Sequence, residues 1–252
     1  MQDGEGRKEN ETLISIIIAT FNAGLHLQDC LESIREHTVR NTEILVLDGG
    51  STDDTISILK SFTYPDLSWI SQPDQGIYDA LNKGVKMAKG RWIHFLGADD
   101  RLLPGFRALA SKLEEENTIY YANSLDYFGN RENVFPLLKG SFTKYRLAKF
   151  CMNHQSIIYP AKAFKKYNYQ LKYKIAADYV LNMALWGDDA FKKRFYPIQI
   201  VRYDMTGLSS FTKDEIFKKD KSQLVKQYLG WWIYLRYRIK KYKENRKNNY
   251  NI

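Results

Sequence analysis

Apolar runs alternate with helical patterns through the first hundred residues of the chain. Residues 13–19 form a nearly continuous apolar run rich in β-branched side chains, as expected for a strand buried on both faces of a parallel sheet. Leucine and isoleucine then recur at near-helical spacing over residues 25–34, and a second apolar run covers 43–47. This order predicts a βαβ unit and an α/β fold. Ser51, with Asp54 three residues later, is predicted to cap the next helix.

The alternation continues to about residue 104. Trp69 and Ile70 indicate a short strand, and residues 77–89 indicate a helix that Gly90 ends. Residues 91–96 read as a further strand. The proline at position 104 suits the first turn of another helix.

The second half of the chain is less regular. Residues 119–128 and 156–159 are predicted strands, and residues 177–186 a predicted helix. Residues 216–247 combine aromatic and basic side chains in the pattern of one amphipathic helix.

Composition narrows the class of protein. A chain of 252 residues with 44% hydrophobic content can bury one substantial core. No apolar stretch approaches the roughly 20 residues of a membrane-spanning helix, and the polar start of the chain predicts a cytoplasmic location. Cys30 and Cys151 lack the spacing of a zinc site, so we expect buried reduced thiols.

The net charge of +9 is unevenly distributed. Residues 213–252 contain twelve of the 38 Lys and Arg residues but only four of the 29 Asp and Glu residues. The body of the chain is therefore close to neutral. This distribution argues against a broad basic groove for nucleic acid and puts the cationic surface in a C-terminal extension.

Carboxylates follow two of the predicted strands. Asp48 comes after the second apolar run, and Asp99 and Asp100 come after the strand that ends near residue 96. Ligands of open α/β sheets bind outside the carboxyl ends of the strands, so we expect these side chains to face one site. One or two carboxylates can hold Mg²⁺ or Mn²⁺ when a diphosphate supplies further oxygens. An acidic turn is the competing interpretation of the pair.

Five stretches together resemble family 2 glycosyltransferases of the GT-A fold, particularly bacterial enzymes of capsule, exopolysaccharide or O-antigen assembly. They are ISIIIATFN, ILVLDGGSTDDT, PDQGIYDALNKGVKMAKGRWIHFLGADD, NHQSIIY and KIAADYVLNMAL, and the resemblance covers about residues 12–212. It implies a mostly parallel central sheet flanked by helices. It also implies inverting transfer of a sugar from a nucleotide diphosphate donor, with uridine the commonest base and Mn²⁺ or Mg²⁺ as the cofactor.

The resemblance assigns roles to particular side chains. Asp48 would bind the base edge, Asp99 would lie nearer the ribose or phosphate, Asp100 would lie nearer the metal, and Asp178 would be the general base. The sequence has Gly97 where many relatives carry Asp or Asn. The implied donor-binding set is Thr20, Phe21, Asn22, Asp48, Ser51, Asp53 and Asp99.

Other readings of these residues stay open. Asp178 also suits a helix N-cap. His154 and Gln155 are candidates for contacting phosphate, acceptor or metal, although a single histidine before an apolar strand is often structural. A sugar nucleotidyltransferase is the main alternative enzyme, but the turn after the first strand reads ATFNAG and lacks that class's Gly-rich, Arg-containing loop. No GxGxxG follows the first strand, which disfavours an NAD-linked enzyme.

The C-terminal extension has two interpretations. Its aromatic residues, among them Trp231 and Trp232, either pack on the body or contact an anionic membrane surface, where a lipid-linked acceptor would be found. A non-catalytic module that binds membrane or nucleic acid through this extension is a further alternative. We favour the membrane, which predicts a peripheral enzyme on the inner face of the cell membrane with no nucleic-acid partner.

The predicted organisation has three parts. They are a disordered tail at 1–11, a GT-A catalytic domain at 12–212 and a basic aromatic helical extension at 213–252. Within the catalytic domain, residues 12–103 are the expected nucleotide-binding half and residues 104–212 the expected acceptor-binding half.

Overall fold

The computed structural model describes residues 13–129, 131–132, 139–207 and 212–249. The predicted disordered tail at 1–11 lies outside the described residues. None of the helices in these described ranges combines the length and apolarity needed to cross a membrane.

The N-terminal half is a four-stranded parallel sheet in the order β3-β2-β1-β4. The βαβ prediction is confirmed, because a helix follows each of the first three strands. The strands are β1 (Ile14–Thr20), β2 (Thr42–Asp48), β3 (Leu67–Ser71) and β4 (Trp92–Gly97), and the helices are α1 (Leu27–His37), α2 (Thr55–Ser61) and α3 (Ile77–Met87).

The C-terminal half continues the same sheet in mixed orientation. Strand β8 pairs antiparallel with both β4 and β6, and β9 pairs parallel with β6. Strand β5 lies at the far edge and pairs antiparallel with β9. The elements are β5 (Arg101–Leu102), β6 (Thr118–Phe128), β7 (Arg131–Glu132), β8 (Ile157–Pro160), β9 (Lys192–Asp204), α4 (Pro104–Ala110), α5 (Lys144–Lys149) and α6 (Ala177–Gly187). The prediction of a mostly parallel sheet thus holds for the first half only.

Two hydrophobic layers cover the two faces of the sheet. Along β1, Ile17 enters the layer formed with α3 and α6, whereas Ile16 and Ile18 enter the layer formed with α1 and α4. All three side chains are fully buried. Burial on both faces explains why this strand is a run of β-branched residues without polar alternation.

Two local predictions were wrong. Ser51 does not cap α2, since the helix begins at Thr55 and the Ser51 hydroxyl donates to Asp48 instead. The C-terminal extension is not one helix. It consists of α7 (Glu215–Leu224), a π-helical turn (Val225–Leu229) and α8 (Trp231–Asn249). Gly230 separates the last two with φ of +94°, a conformation that favours glycine.

The thiols are free, as expected, with Cys30 buried and Cys151 partly buried. Burial raises the pKa of both.

His94 on β4 is a buried histidine outside the predicted site. Its Nδ1 lies 3.0 Å from the carbonyl oxygen of Ile157, and its ring centroid lies 4.8 Å from that of Phe106. Burial lowers the pKa of His94 to about 4, although the bond to the carbonyl opposes that shift. The folded protein therefore keeps this imidazole neutral.

Stability is expected to fall as the pH drops from 6.5 towards 4. In this window the unfolded chain, with a histidine pKa near 6.5, binds the His94 proton more readily than the folded chain. The loss from His94 is about 2 kcal/mol at pH 5. Urea unfolding at pH 7 and pH 5 measures it. The variant His94→Gln should reduce the loss of stability between pH 7 and pH 5 by about 2 kcal/mol, whereas His26→Gln, at an exposed position, should leave it unchanged. An unchanged slope in His94→Gln would contradict the assignment.

Candidate active site

The carboxyl ends of β1, β2 and β4 meet at one edge of the sheet. Strand β1 lies between the other two, with Thr20 in register with Asp48 and Ala19 in register with Gly97. The segments that follow these strands therefore start side by side. This is the arrangement expected from the strand order, and it brings the two acidic stretches to the same edge.

Asp48 connects several segments at this edge through hydrogen bonds. It is 2% exposed, and its two carboxylate oxygens accept five hydrogen bonds. Oδ1 accepts from Thr20 Oγ1 (3.0 Å) and Ser51 Oγ (2.5 Å), and Oδ2 accepts from Gly50 N (3.0 Å), Ser51 N (2.9 Å) and Ser71 Oγ (2.6 Å). Burial alone would raise the pKa of Asp48, but these bonds outweigh it and lower the pKa. An ionised Asp48 thus connects the ends of β1 and β3 to the turn after β2. Its predicted contact with a base stays a prediction.

Asn22 and Asp53 join the loops after β1 and β2. The Asn22 side chain accepts from Thr52 N (2.9 Å), and its own backbone N–H donates to Ser51 Oγ (2.8 Å). Asp53 Oδ2 accepts from Gly24 N (2.8 Å). Asn22 adopts φ of +50°, the left-handed region that asparagine tolerates. Both side chains shape the predicted donor site by fixing its backbone.

Phe21 is an exposed aromatic side chain at this edge. Its ring is 67% exposed and lies next to Gly49, where an added Cβ would approach Phe21 Cδ2 at 3.4 Å and Asp74 Oδ2 at 3.0 Å. Because Gly49 has no side chain, the space next to the Phe21 ring is open to a planar ligand that stacks on the ring. Asp74 was not among the predicted residues. The turn sequence PDQG before α3 is the pattern that could have pointed to it.

Asp100 is buried, and its carboxylate accepts hydrogen bonds from two backbone N–H groups. It has no exposed surface, its Oδ2 accepts from Gly97 N (3.2 Å), and its Oδ1 accepts from Asp204 N (2.8 Å). Burial, followed by the neighbouring Asp99 charge, raises its pKa well above the usual range. In this geometry both carboxylate oxygens of Asp100 are engaged by backbone N–H groups, and the metal role inferred from the sequence stays a prediction.

Asp99 is the accessible member of the pair. It is partly exposed, and burial together with the nearby Asp204 charge raises its pKa. A Cβ on Gly97 would lie 2.5 Å from Asp100 Oδ2 and 2.7 Å from Asp99 Oδ1. Glycine at position 97 therefore leaves the space that both carboxylates occupy. Of the two, Asp99 is the more accessible side chain, and its predicted contact with the donor stays a prediction.

Asp178 lies in the first turn of α6. Its Oδ1 is 3.1 Å from the Tyr78 hydroxyl, its Oδ2 is 4.0 Å from Cys151 Sγ, and its side chain is 17% exposed. Asp178 does not cap α6, because Ala176 holds the N-cap position. The backbone N–H of Ala176 instead donates to Asp214 (3.3 Å). The Asp178 carboxylate is thus not used for capping and lies near the positive end of the helix, and its predicted role as general base stays a prediction.

Tyr78 connects Asp178 to the rest of the site. It lies in the first turn of α3, close after Asp74, so it belongs to the same edge of the sheet. Its hydroxyl also lies 2.7 Å from the carbonyl oxygen of Ile175, and one hydroxyl proton serves one acceptor at a time. The pattern of α3 marks Tyr78 as a core residue, which is why its link to Asp178 was missed.

His154 lies beside Asp178 in a short 3₁₀ turn. Its Nδ1 is 3.6 Å from Asp178 Oδ2, beyond hydrogen-bond distance. Burial lowers the pKa of His154, and the Asp178 charge only partly offsets this. Gln155, in the same turn, is partly buried, and its backbone N–H donates to Asn153 Oδ1 (3.0 Å). The structure therefore brings His154 next to Asp178 and leaves its predicted ligand contact open.

The mixed sheet and its acidic loops define a GT-A glycosyltransferase. The structure is similar to that of S. aureus TarS 1–349 in complex with UDP-GlcNAc, with a TM-score of 0.69, 15% identity and coverage of 86% of this chain and 71% of that one. It is also similar to mannosyltransferase PcManGT from Pyrobaculum calidifontis in complex with GDP-Man and Mn²⁺ (TM-score 0.61, 15% identity, 86% of this chain and 63% of that one). At this identity the likeness concerns the fold.

Sequence similarity gives the family. A model of Glycosyl transferase family 2 matches residues 15–195, and the chain belongs to that family. It is 34% identical over 219 residues to a PGL/p-HBAD biosynthesis glycosyltransferase of Mycobacterium bovis (strain BCG / Pasteur 1173P2), which covers 82% of this chain and 83% of the relative. The predicted family, fold and enzyme class are confirmed. Family membership sets aside the nucleotidyltransferase and the non-catalytic module.

Proposed function

We propose that this glycosyltransferase moves a sugar, with inversion, from a nucleotide diphosphate donor to a hydroxyl of a glycan or lipid-linked acceptor in bacterial surface-polysaccharide synthesis. The observation that carries the proposal is the position of Asp178, partly exposed in the first turn of α6 and 3.1 Å from Tyr78. The Mycobacterium bovis relative is named a PGL/p-HBAD biosynthesis glycosyltransferase, which supports glycosyl transfer in a biosynthetic pathway.

The donor would bind at the carboxyl edge of β1, β2 and β4. The exposed ring of Phe21 would stack on the base, and the loops joined by Asn22, Asp48 and Asp53 would hold the ribose and diphosphate. Solved structures of similar fold contain UDP-GlcNAc or GDP-Man, which supports a nucleotide sugar. We propose a UDP-sugar as the first choice.

A divalent cation, Mn²⁺ or Mg²⁺, fits Asp99 together with the donor. No group of three or more His, Cys, Asp or Glu side chains in the described ranges is arranged to hold a metal by itself. One carboxylate is nevertheless sufficient where a diphosphate supplies other oxygens. Asp99 would hold the ion while Asp100 fixes the turn beneath it. When bound, the ion stabilises negative charge on the diphosphate leaving group.

Asp178 would act as the general base. It takes the proton of the acceptor hydroxyl as that oxygen bonds to the anomeric carbon and the bond from that carbon to the diphosphate oxygen breaks on the opposite face. The Tyr78 hydroxyl, which lies within reach of both the Ile175 carbonyl and Asp178 Oδ1, would donate to Asp178 during the reaction and orient the carboxylate. The uncharged state that burial favours for His154 avoids an ion pair that would weaken the base.

Thermal unfolding with nucleotide sugars tests the donor site. At 100 times Kd, a bound donor is expected to raise Tm by about 5–10 °C, with UDP-sugars more effective than GDP- or dTDP-sugars and with the shift larger when Mn²⁺ is present. Phe21→Ala should reduce the shift. Leu25→Ala is the matched control, since Leu25 is 91% exposed in the same loop. If no nucleotide sugar raises Tm with Mn²⁺ present, the donor proposal fails.

A further inference from the structure

Helix α8 carries apolar side chains on two opposite faces. Ile233, Tyr234 and Tyr237 pack against the hydrophobic core. A second set remains exposed, and we call it the aromatic stripe. Its members are Trp231 (52% exposed), Trp232 (80%), Leu235 (40%), Ile239 (49%) and Tyr242 (63%).

The aromatic stripe is a continuous band along the helix. At about 100° per residue its five members fall within an arc of roughly 100°, centred opposite the packed face. The band was not apparent from the sequence, where the packed and exposed aromatics alternate within one stretch. Large apolar side chains grouped on a surface mark a contact with something else.

Basic side chains line both sides of the stripe. Helical spacing puts Arg236 and Lys243 on one side and Arg238 and Lys241 on the other. In the part of α8 whose side chains are described, the acidic residue is Glu244, which lies on the packed side, 3.5 Å from Lys240. An apolar band between two cationic rows is complementary to apolar chains beneath anionic headgroups.

We propose that the aromatic stripe of α8 inserts into the interface of an anionic membrane. Trp and Tyr favour the headgroup level, aliphatic side chains reach the acyl boundary, and the flanking cations pair with anionic lipid. A second copy of this chain fits less well, because it would bring two cationic rows together. Nucleic acid fits less well too, because Leu235 and Ile239 offer no flat ring for base stacking.

Helix α8 packs against α5, which leads to the segment beside the proposed base. Arg236 stacks 3.8 Å from the ring centroid of Tyr145 in α5. Helix α5 ends at Lys149, and Cys151, two residues further on, lies 4.0 Å from Asp178. Membrane contact through α8 would therefore bring the active site close to the lipid surface. The benefit of this contact for sugar transfer rests on the proposed lipid-linked acceptor. The membrane contact itself does not depend on that proposal.

Cosedimentation of the full chain with phosphatidylglycerol-containing vesicles tests the inference. The native protein should bind, and Trp232→Ser/Ile239→Ser should bind at least tenfold more weakly. Arg238→Gln/Lys241→Gln/Lys243→Gln should lose roughly 100-fold at low salt. Ile216→Ser is the matched control, since Ile216 is a 50% exposed aliphatic residue on α7, and its binding should be unchanged.

Three results would overturn the inference. They are native vesicle binding by the Trp232→Ser/Ile239→Ser variant, equal binding to purely zwitterionic vesicles, and self-association in sedimentation velocity that this variant abolishes. Donor-dependent Tm shifts, measured without vesicles, report the proposed function separately. Retained donor shifts with lost vesicle binding in this variant would support the membrane surface. A native protein that binds vesicles but shows no donor shift would overturn the proposed function and leave the membrane surface in place.

Discussion

Asp178→Asn is expected to lower kcat for sugar transfer by roughly 10²–10⁴-fold while leaving the KM for the donor nearly unchanged. The amide keeps the size of the side chain and can still accept the Tyr78 O–H bond, but it cannot take a proton from the acceptor hydroxyl. Initial rates at saturating donor and acceptor measure the effect. The matched control is Asp189→Asn, a charge loss at an exposed position just after α6, which should transfer at the native rate.

Tyr78→Phe separates positioning from proton transfer. In the native background this variant should lower kcat about tenfold, because Asp178 loses the hydroxyl that orients it. In the Asp178→Asn background it should have little further effect, since no base remains to be oriented. A native rate in Asp178→Asn would remove the proposed base. Equal and additive losses in both backgrounds would instead give Tyr78 a role in packing alone.

Asp99 and Asp100 are expected to respond differently to the same change. Asp99→Asn should lower transfer about 100-fold or more and abolish the Mn²⁺-dependent part of the donor Tm shift. It should leave the free energy of unfolding within about 0.5 kcal/mol, because Asp99 is partly exposed. Asp100→Asn should lower the free energy of unfolding by about 1–3 kcal/mol, since an amide cannot accept from both Gly97 N and Asp204 N.

Urea unfolding and Mn²⁺ titration of the donor Tm shift on the same two variants measure these effects. Asp100→Asn should have a lower Tm without ligand, but its donor Tm shift should still depend on Mn²⁺. A stable Asp100→Asn protein without that shift would return the metal-binding role to Asp100. In that case the turn would have to open when the donor binds.

The sequence predicted the N-terminal half well because its signals are local. A strand buried on both faces reads as an apolar run, and parallel strands joined by helices end at one edge. This is enough to bring the loops after Asp48 and before Asp99 together. Strand β9 was missed because most of its residues are only partly buried and include four charged side chains before Asp204. Its pairing with β6 spans more than seventy residues and leaves no local pattern.

By itself, the sequence determined the α/β class, the alternation of the first four strands with helices along the chain, the family and the set of carboxylates at the site. Periodicity reports which face of an element a side chain occupies, and motifs report residue types in order. Only the tertiary structure decided which partner each side chain meets. It buried Asp100 and left Asp99 partly exposed over the space left by Gly97. It joined Tyr78 to Asp178 across one hundred residues and divided the aromatics of α8 between two faces. Such contacts depend on long-range packing, which no local pattern encodes.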